Sequence, residues 1–319
     1  MKNKIKTVFI WGNVNKKSLR EVFTKLLKIF EKHDIKFFLN KELADFYEYP
    51  AGKTIDVKNN PNLDYISQVD IAVILGGDGT VIHAARTLLP WEIPILGINL
   101  GHLGFLTELD PLEIDDAVPA ILEGKYQIEE RMMLKAFCED IMLLAMNEFV
   151  LSKGKSPRFV RLNIEVNGEH VSEIYADGIV VSTPTGSTAY SMSLGGSILA
   201  PGLKGILLTA MAPHMLTFRP FVVSSNDIIR IYFESLSKRG ILHLSGDGQN
   251  TENLVKKGTV LIKRCDKKTQ LVKYHDRSFY SLLQEKFGWG NIPGVMKYAT
   301  TDESKFLKNN IKKKGNDES

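Results

Sequence analysis

Cysteine is nearly absent from the chain, with only Cys138 and Cys265 among 319 residues. Neither belongs to a Cys-x-x-Cys pair or stands beside a histidine at metal-ligand spacing, so both read as reduced thiols, which suits a cytosol. Long apolar runs are missing as well. None approaches membrane-spanning length, and Met1 to Ile10 lacks the apolar core and small-residue cleavage site of a signal peptide. These absences lead to a soluble, cytoplasmic protein with no membrane partner. Nor is there an excess of one charge: 41 Lys and Arg stand against 37 Asp and Glu. No whole-molecule field recommends a nucleic-acid partner, and the basic run Lys308 to Lys314 reads as part of a solvated tail.

What is present is ordinary globular material, 44% hydrophobic and long enough for two cores. From residue 5 to about 130, apolar runs alternate with amphipathic stretches. Strands are expected at Val8–Trp11, Lys36–Leu39, Asp70–Leu75 and Ile93–Ile98, and helices at Leu19–His33, Val81–Leu89 and Leu112–Glu123. This alternation predicts a doubly wound, largely parallel α/β sheet. After about residue 135 the helical period gives way to short β-branched runs, from Val160–Val166 through Thr259–Arg264 and Leu271–His275, which predict an antiparallel, sandwich-like β domain. Asn167-Gly168 between two such runs signals a type I′ hairpin turn. The expected organisation is an α/β domain over 1–134 and 276–299, a β-rich domain over 135–275 and a disordered tail from Thr300 to Ser319. A helix from Ser278 to Phe287 returns to the first domain in this reading.

One turn carries chemistry. Gly76-Gly77-Asp78-Gly79-Thr80 leaves the central strand and opens a helix, where backbone amides of a glycine-rich turn can approach phosphate oxygens. An aspartate among phosphates makes sense if it accepts a proton from an attacking hydroxyl or works through a divalent cation. The alternative is a plain tight turn with Asp78 capping the helix. Other phosphate and nucleophile signatures fail. Gly12 to Ser18 follows a strand but has Lys17 and Ser18 where a P-loop needs glycine and lysine, and Asn99 replaces the leading glycine of a dinucleotide fingerprint before Gly101 and Gly104. No Gly-x-Ser-x-Gly elbow surrounds Ser187.

Read together, Gly76 to Thr80, Gly97 to Thr107, Asn147-Glu148, Asp177 to Tyr190, Pro213 to Pro220, Asp247-Gly248-Gln249 and Ser278 to Leu283 resemble the NAD kinase family in order and spacing. The resemblance covers roughly residues 5 to 297. It implies an N-terminal α/β domain, a central β domain and an active site between them. It also implies transfer of the terminal phosphoryl of ATP, or of inorganic polyphosphate in some members, to the adenosine 2′-hydroxyl of NAD, with a divalent cation such as Mg²⁺ and a homo-oligomeric state, dimer or tetramer. On that resemblance Asp78 is the proton acceptor and Gly76, Gly77 and Thr80 form the phosphate loop. Gly79, His83, Asn147, Glu148, Arg158, Asp177, Thr188, Ala189, Tyr190, Ser191, Met192, Ser193 and Gln249 face the nucleotide. The chemistry agrees: a carboxamide can satisfy an adenine edge, a carboxylate can accept from ribose hydroxyls, and a tyrosine can stack. Taken singly, His83 and the Asn147-Glu148 pair read more readily as structural polar residues, and Ser187 and Thr188 read equally as caps of a helix with Tyr190 in the core. Tyr175 departs from the family, standing where many members carry a basic residue. Two rival functions remain at this point: a lipid kinase of the diacylglycerol or sphingosine type, which shares the Gly-Gly-Asp-Gly turn, and a non-catalytic NAD-sensing module.

Overall fold

The computed structural model describes residues 4–49, 54–57, 63–101, 104–156, 158–215, 217–237 and 240–288. The expected tail from Thr300 to Ser319 lies outside the described residues. The first part of the chain runs β1 (Thr7–Gly12), α1 (Leu19–Lys32), β2 (Lys36–Asn40), α2 (Lys41–Phe46), β3 (Thr54–Ile55), α3 (Leu63–Ile66), β4 (Ile71–Gly76), α4 (Asp78–Leu88), β5 (Ile95–Asn99) and α5 (Ile114–Leu122). Continuous apolar runs suit strands covered on both faces, and every residue of β1, β4 and β5 is buried. The strands are parallel in the order β3-β2-β1-β4-β5. The order reverses between β1 and β4, the switch point outside whose carboxyl ends such sheets take ligands. On one face α1 buries Leu19, Val22, Phe23, Leu26 and Phe30, spaced three and four apart, with Val8, Ile10, Val73 and Leu75 of the sheet. On the other, Val81, Ala84, Ala85 and Leu88 of α4 join Phe9, Trp11, Ala72 and Ile74.

The chain continues through β6 (Gln127–Cys138), β7 (Ile141–Ala145), β8 (Glu148–Ser152), β9 (Val160–Val166), β10 (Glu169–Ala176), β11 (Gly178–Ser182), α6 (Tyr190–Ser193), β12 (Gly205–Met211), β13 (Phe221–Ser224), β14 (Ile229–Ser235), β15 (Leu242–Gly246), β16 (Asn250–Leu254), β17 (Lys257–Lys273) and α7 (Phe279–Phe287). Strands β13-β12-β11-β8-β15-β16 form an antiparallel sheet. Its Phe149, Leu151, Ile179, Val181 and Leu244 share a core with Leu162, Ile164, Ile231, Phe233 and Val260 of β9, β14 and β17, which makes the expected sandwich. Asn167 and Gly168 take φ of 53° and 86°, as the type I′ turn requires.

Two expectations need correction. Thr259–Arg264 and the expected Leu271–His275, as far as Lys273, are not separate strands but parts of the 17-residue β17, whose polar stretch is absorbed by an irregularity in its pairing with β6 between Arg264 and Lys268. A bulge keeps a ladder going where alternation lapses. The helix expected from Val81 starts three residues earlier, at Asp78. The boundary placed near residue 135 falls inside β6. Through β6 and β17 the parallel sheet runs on into one layer of the sandwich, with β17 pairing β14, β6 and, at Leu271, β5. The chain divides into two compact units between Asp276 and Arg277. The second unit contains α7, where Ser278 Oγ accepts from the Ser281 N–H at 3.1 Å and Gly288 closes the helix at φ 64°. Among the described residues no helix is long and apolar enough to cross a membrane.

Candidate functional site

The turn leaving β4 bears on the two readings of Asp78. Gly77 occupies the N-cap position in extended conformation, and Asp78 is the first residue of α4 with no side-chain cap on that helix. The carboxylate is turned to other partners: Oδ2 accepts from the Phe105 N–H at 2.8 Å and Oδ1 from the Leu106 N–H at 3.0 Å. A Cβ on Gly104 would stand 1.9 Å from Asp78 Oδ1, so only glycine lets this carboxylate lie against residues 104–106. Two backbone amides on a segment 27 residues away fix where the group points. Capping does not account for it.

A second set of contacts ties α4 to the sandwich. Arg86, buried on α4, donates through Nη1 to Gly246 O and Asp247 Oδ2, both at 3.0 Å, and through Nη2 to Gln249 Oε1 at 2.6 Å. Gln249 Nε2 donates to the carbonyl of Gly79 at 2.9 Å, back in the glycine turn. The Asp247 carboxylate, wholly buried, also accepts from the N–H groups of Met146, Asn147 and Glu148 at 3.0, 2.7 and 3.2 Å. One ion pair thus holds the Asn147-Glu148 corner, the Gln249 loop and the Asp78 helix in register. Burial pushes the Asp247 carboxyl above its ordinary range, while the three backbone amides and the Arg86 guanidinium pull it back.

Glu148 is 6% exposed and its Oε2 has no hydrogen-bond partner among the described residues. Burial first, and the neighbouring Asp247 charge second, raise its pKa to about 8, against a smaller opposing pull from the Tyr190 backbone N–H. At neutral pH the group is largely a neutral acid, able to donate as well as accept. Thr183 to Thr188 pack on this corner: Thr183 Oγ1 donates to Met146 O at 2.6 Å, and a Cβ on Gly186 would meet Asn147 O at 2.2 Å. Asn147 is half-buried, and nothing among the described residues hydrogen bonds its carboxamide. Tyr190 is 40% exposed, not core, and neither Ser187 nor Thr188 caps a helix by its side chain. Their hydroxyls bond Pro184 O and Thr185 O.

A cavity of about 490 Å³ opens at the switch point, lined by Gly12 to Lys16 after β1, Gly77, Gly79 and Thr80 of the turn, and His83 and Gln249. The His83 ring meets Trp11 edge-on at 5.2 Å. Of the nucleotide-facing residues expected from sequence, Gly79, His83 and Gln249 come together at this cavity. Asn147 and Glu148 join them through the Asp247 junction, and Thr188, Ala189 and Tyr190 through the turn that packs on it. Met192 is half-buried and Ser193 exposed beside Tyr190. Ser191 is fully buried, its hydroxyl 2.8 Å from Thr209 Oγ1, so its side chain serves packing. Asp177 and Arg158 are not brought to the cavity. Since Ser182 pairs with Glu148 and Gly178 with Ser152, Asp177 lies at the other end of β11, roughly 17 Å away for five residues at about 3.3 Å each. There its carboxylate pairs with Lys153 Nζ at 2.5 Å. The sequence reading missed Arg86, Asp247 as a junction, Gly104 and the loop from Gly12 to Lys16. The signals were a lone arginine among the buried positions of α4 and glycines judged only against other motifs.

Residues 8–126 match the ATP-NAD kinase N-terminal domain and residues 146–274 the ATP-NAD kinase C-terminal domain. An NAD kinase of Thermoanaerobacter sp. (strain X514) is 36% identical over 287 residues, 88% of this chain and 99% of the relative. One of Escherichia coli O1:K1 / APEC is 39% identical over 239 residues, 73% of this chain and 81% of the relative. Among solved structures, yeast NADH kinase complexed with NADH superposes with a TM-score of 0.80 at 26% identity, covering 93% of this chain and 91% of that one. An Archaeoglobus fulgidus NAD kinase in complex with ATP shares the fold at a TM-score of 0.66 and 22% identity, over 89% of this chain and 98% of that one. Matched in both halves, and along nearly the whole of a relative at 36% identity, the chain belongs to the NAD kinase family.

Proposed function

We propose that this protein transfers the terminal phosphoryl of ATP to the adenosine 2′-hydroxyl of NAD. The observation that carries the reading is the Asp78 carboxylate, held by the amides of Phe105 and Leu106 beside a glycine turn and a cavity large enough for phosphates. In the reaction the 2′-oxygen attacks the terminal phosphorus, its proton passes to Asp78, and the bridging bond to ADP breaks. Amides at the start of α4 stabilise charge on the transferring group. Asn147 and Glu148 hold the adenosine half, with Tyr190 against a ring. Among the described residues no three His, Cys, Asp or Glu side chains cluster as a metal cage. Asp78 is the carboxylate that would stand beside a Mg²⁺ ion brought with the nucleotide, which would neutralise phosphate charge. The two free thiols suit a cytoplasmic setting.

Incubation with ATP, Mg²⁺ and either NAD or a diacylglycerol, followed by identification of the product, tests the reading. A 2′-phosphorylated dinucleotide supports it, and a phosphorylated lipid or no product overturns it. Asn147→Ala and Tyr190→Ala should each raise KM for NAD about 5- to 150-fold, the range of a lost hydrogen bond or stacking contact of about 1 to 3 kcal/mol. Calorimetry showing unchanged affinity for NAD in both variants would remove the adenosine site from this corner.

Glu148 also sets a pH dependence. Its folded pKa, about 8, lies above the unfolded value of 4.5, so between the two the folded chain binds more protons than the unfolded chain. Its contribution is most favourable below about pH 4.5 and declines as pH rises towards 8. Urea unfolding at pH 5.5, 6.5, 7.5 and 8.5 should therefore give a shallower decline for Glu148→Gln than for wild type. Equal slopes would mean that Glu148 is ionised in the folded state.

A further inference from the structure

The loop after β1 was set aside as a failed P-loop, yet it forms a wall of the cavity. Asn13 N–H donates to Leu75 O at 2.9 Å, which anchors the loop to the end of β4, and Lys16 N–H returns to Asn13 O at 3.1 Å. Lys16 is half-buried, and a Cβ on Gly101 would come within 3.4 Å of its Nζ. Its ammonium therefore lies over the segment that continues into the Asp78 cradle at Gly104. It is the one lysine or arginine among the described residues that line the cavity. It also has no ion-pair partner among them, and Glu42 on the same wall does not bind it. Two other partly buried lysines are neutralised, Lys153 by Asp177 and Lys273 by Glu108.

A half-buried cation without a counter-ion, facing a turn of backbone amides, suits a polyanion. A triphosphate carries several negative charges that the glycine turn alone meets only with dipoles. We infer that Lys16 is the phosphate-binding residue of the donor side, pairing with the phosphate chain of ATP while the dinucleotide is held at the Asn147 corner. This rests on the kinase reading for the identity of the donor. It assigns a role to a loop that does not follow the Walker sequence: the ammonium acts as a point charge, which needs no fork geometry and tolerates its own loop conformation.

The test compares wild type, Lys16→Met, which keeps the apolar stem, and Lys16→Arg, which restores the charge. Binding of a non-hydrolysable ATP analogue, and competition by inorganic tripolyphosphate and by adenosine, are measured by calorimetry beside KM and kcat. Lys16→Met should weaken the analogue and tripolyphosphate by about the same factor, about 10- to 100-fold. Adenosine competition and KM for NAD should change less than about threefold, and Lys16→Arg should recover most of the loss. Analogue affinity within twofold of wild type in Lys16→Met overturns the assignment. So does a loss confined to NAD or to adenosine, and so does failure of the wild type to bind the analogue. A wild type that binds the analogue and loses it on Lys16→Met, but leaves NAD unphosphorylated, supports the phosphate role and counts against the kinase reading alone.

Discussion

Asp78→Asn should lower kcat by at least two orders of magnitude while the Kd for NAD changes only a few-fold. The general-base contribution is usually about 10² to 10⁴-fold, and the carboxamide keeps the size but cannot take a proton from the ribose hydroxyl, while only its oxygen still accepts from the Phe105 or Leu106 amide. A helix-capping role predicts the opposite, because asparagine caps as well as aspartate does and neither activity nor stability should fall. The geometry disfavours that outcome, since the carboxylate oxygens accept from the Phe105 and Leu106 amides, far from the first turn of α4 in sequence. A companion variant separates position from chemistry. Gly104→Ala leaves Asp78 ionisable but puts a methyl where its Oδ1 lies. It should likewise depress kcat, by about tenfold or more, because a small misplacement of a reacting group is costly. Near-normal kcat for Asp78→Asn at saturating ATP and NAD would end the catalytic assignment. Near-normal kcat for Gly104→Ala would show that the cradle is not what aims the carboxylate.

Much of this was legible in the chain because local rules and tertiary demands coincide there. β1, β4 and β5 are apolar runs that the sheet buries on both faces. α1 carries its apolar stripe at helical spacing, and Asn167-Gly168 is one of the favoured pairs for its two positive φ angles. What was not legible depends on partners far away in sequence. The polar run Cys265 to Lys268 looks like a strand break, but pairing with β6 carries β17 through it. Gly101 and Gly104 were weighed as a defective fingerprint, when the size of Gly104 is demanded by a carboxylate 26 positions earlier. Arg86 on the buried side of α4 announces a buried anion, yet nothing local says that the anion is Asp247, 161 residues on. Function follows the same division: the glycine turn could be read directly, whereas the junction that aligns it with Asn147 and Glu148 emerges only from the fold.

That junction supports the second large effect. Arg86→Met removes the guanidinium and leaves the Asp247 carboxylate buried with three backbone N–H donors, and it deprives Gln249 of the partner that orients it towards Gly79. Breaking one side of a buried ion pair costs about 3 to 5 kcal/mol, a large share of the roughly 5 to 15 kcal/mol that holds a typical domain. Asp247→Asn leaves Arg86 unpaired but keeps a side-chain acceptor for the amides, and the double variant should lose less than the two single losses combined, with a coupling of about 0.5 to 3 kcal/mol. The pH dependence has a definite sign. Burial already pushes the Asp247 carboxyl up, and Arg86 is among the groups that pull it down. Without Arg86 the folded pKa rises further, so the stability deficit of Arg86→Met should be smallest in acid, where Asp247 is protonated in both variants, and should grow as pH rises through neutrality. The Met146 to Glu148 corner hangs on the same carboxylate, so affinity for NAD should fall together with stability. Urea unfolding at pH 5 and pH 8 for the wild type and the three variants decides the matter. Strict additivity of the single losses, or a deficit for Arg86→Met that is the same at both pH values, would show that Arg86 stabilises α4 by packing its stem and not by neutralising Asp247.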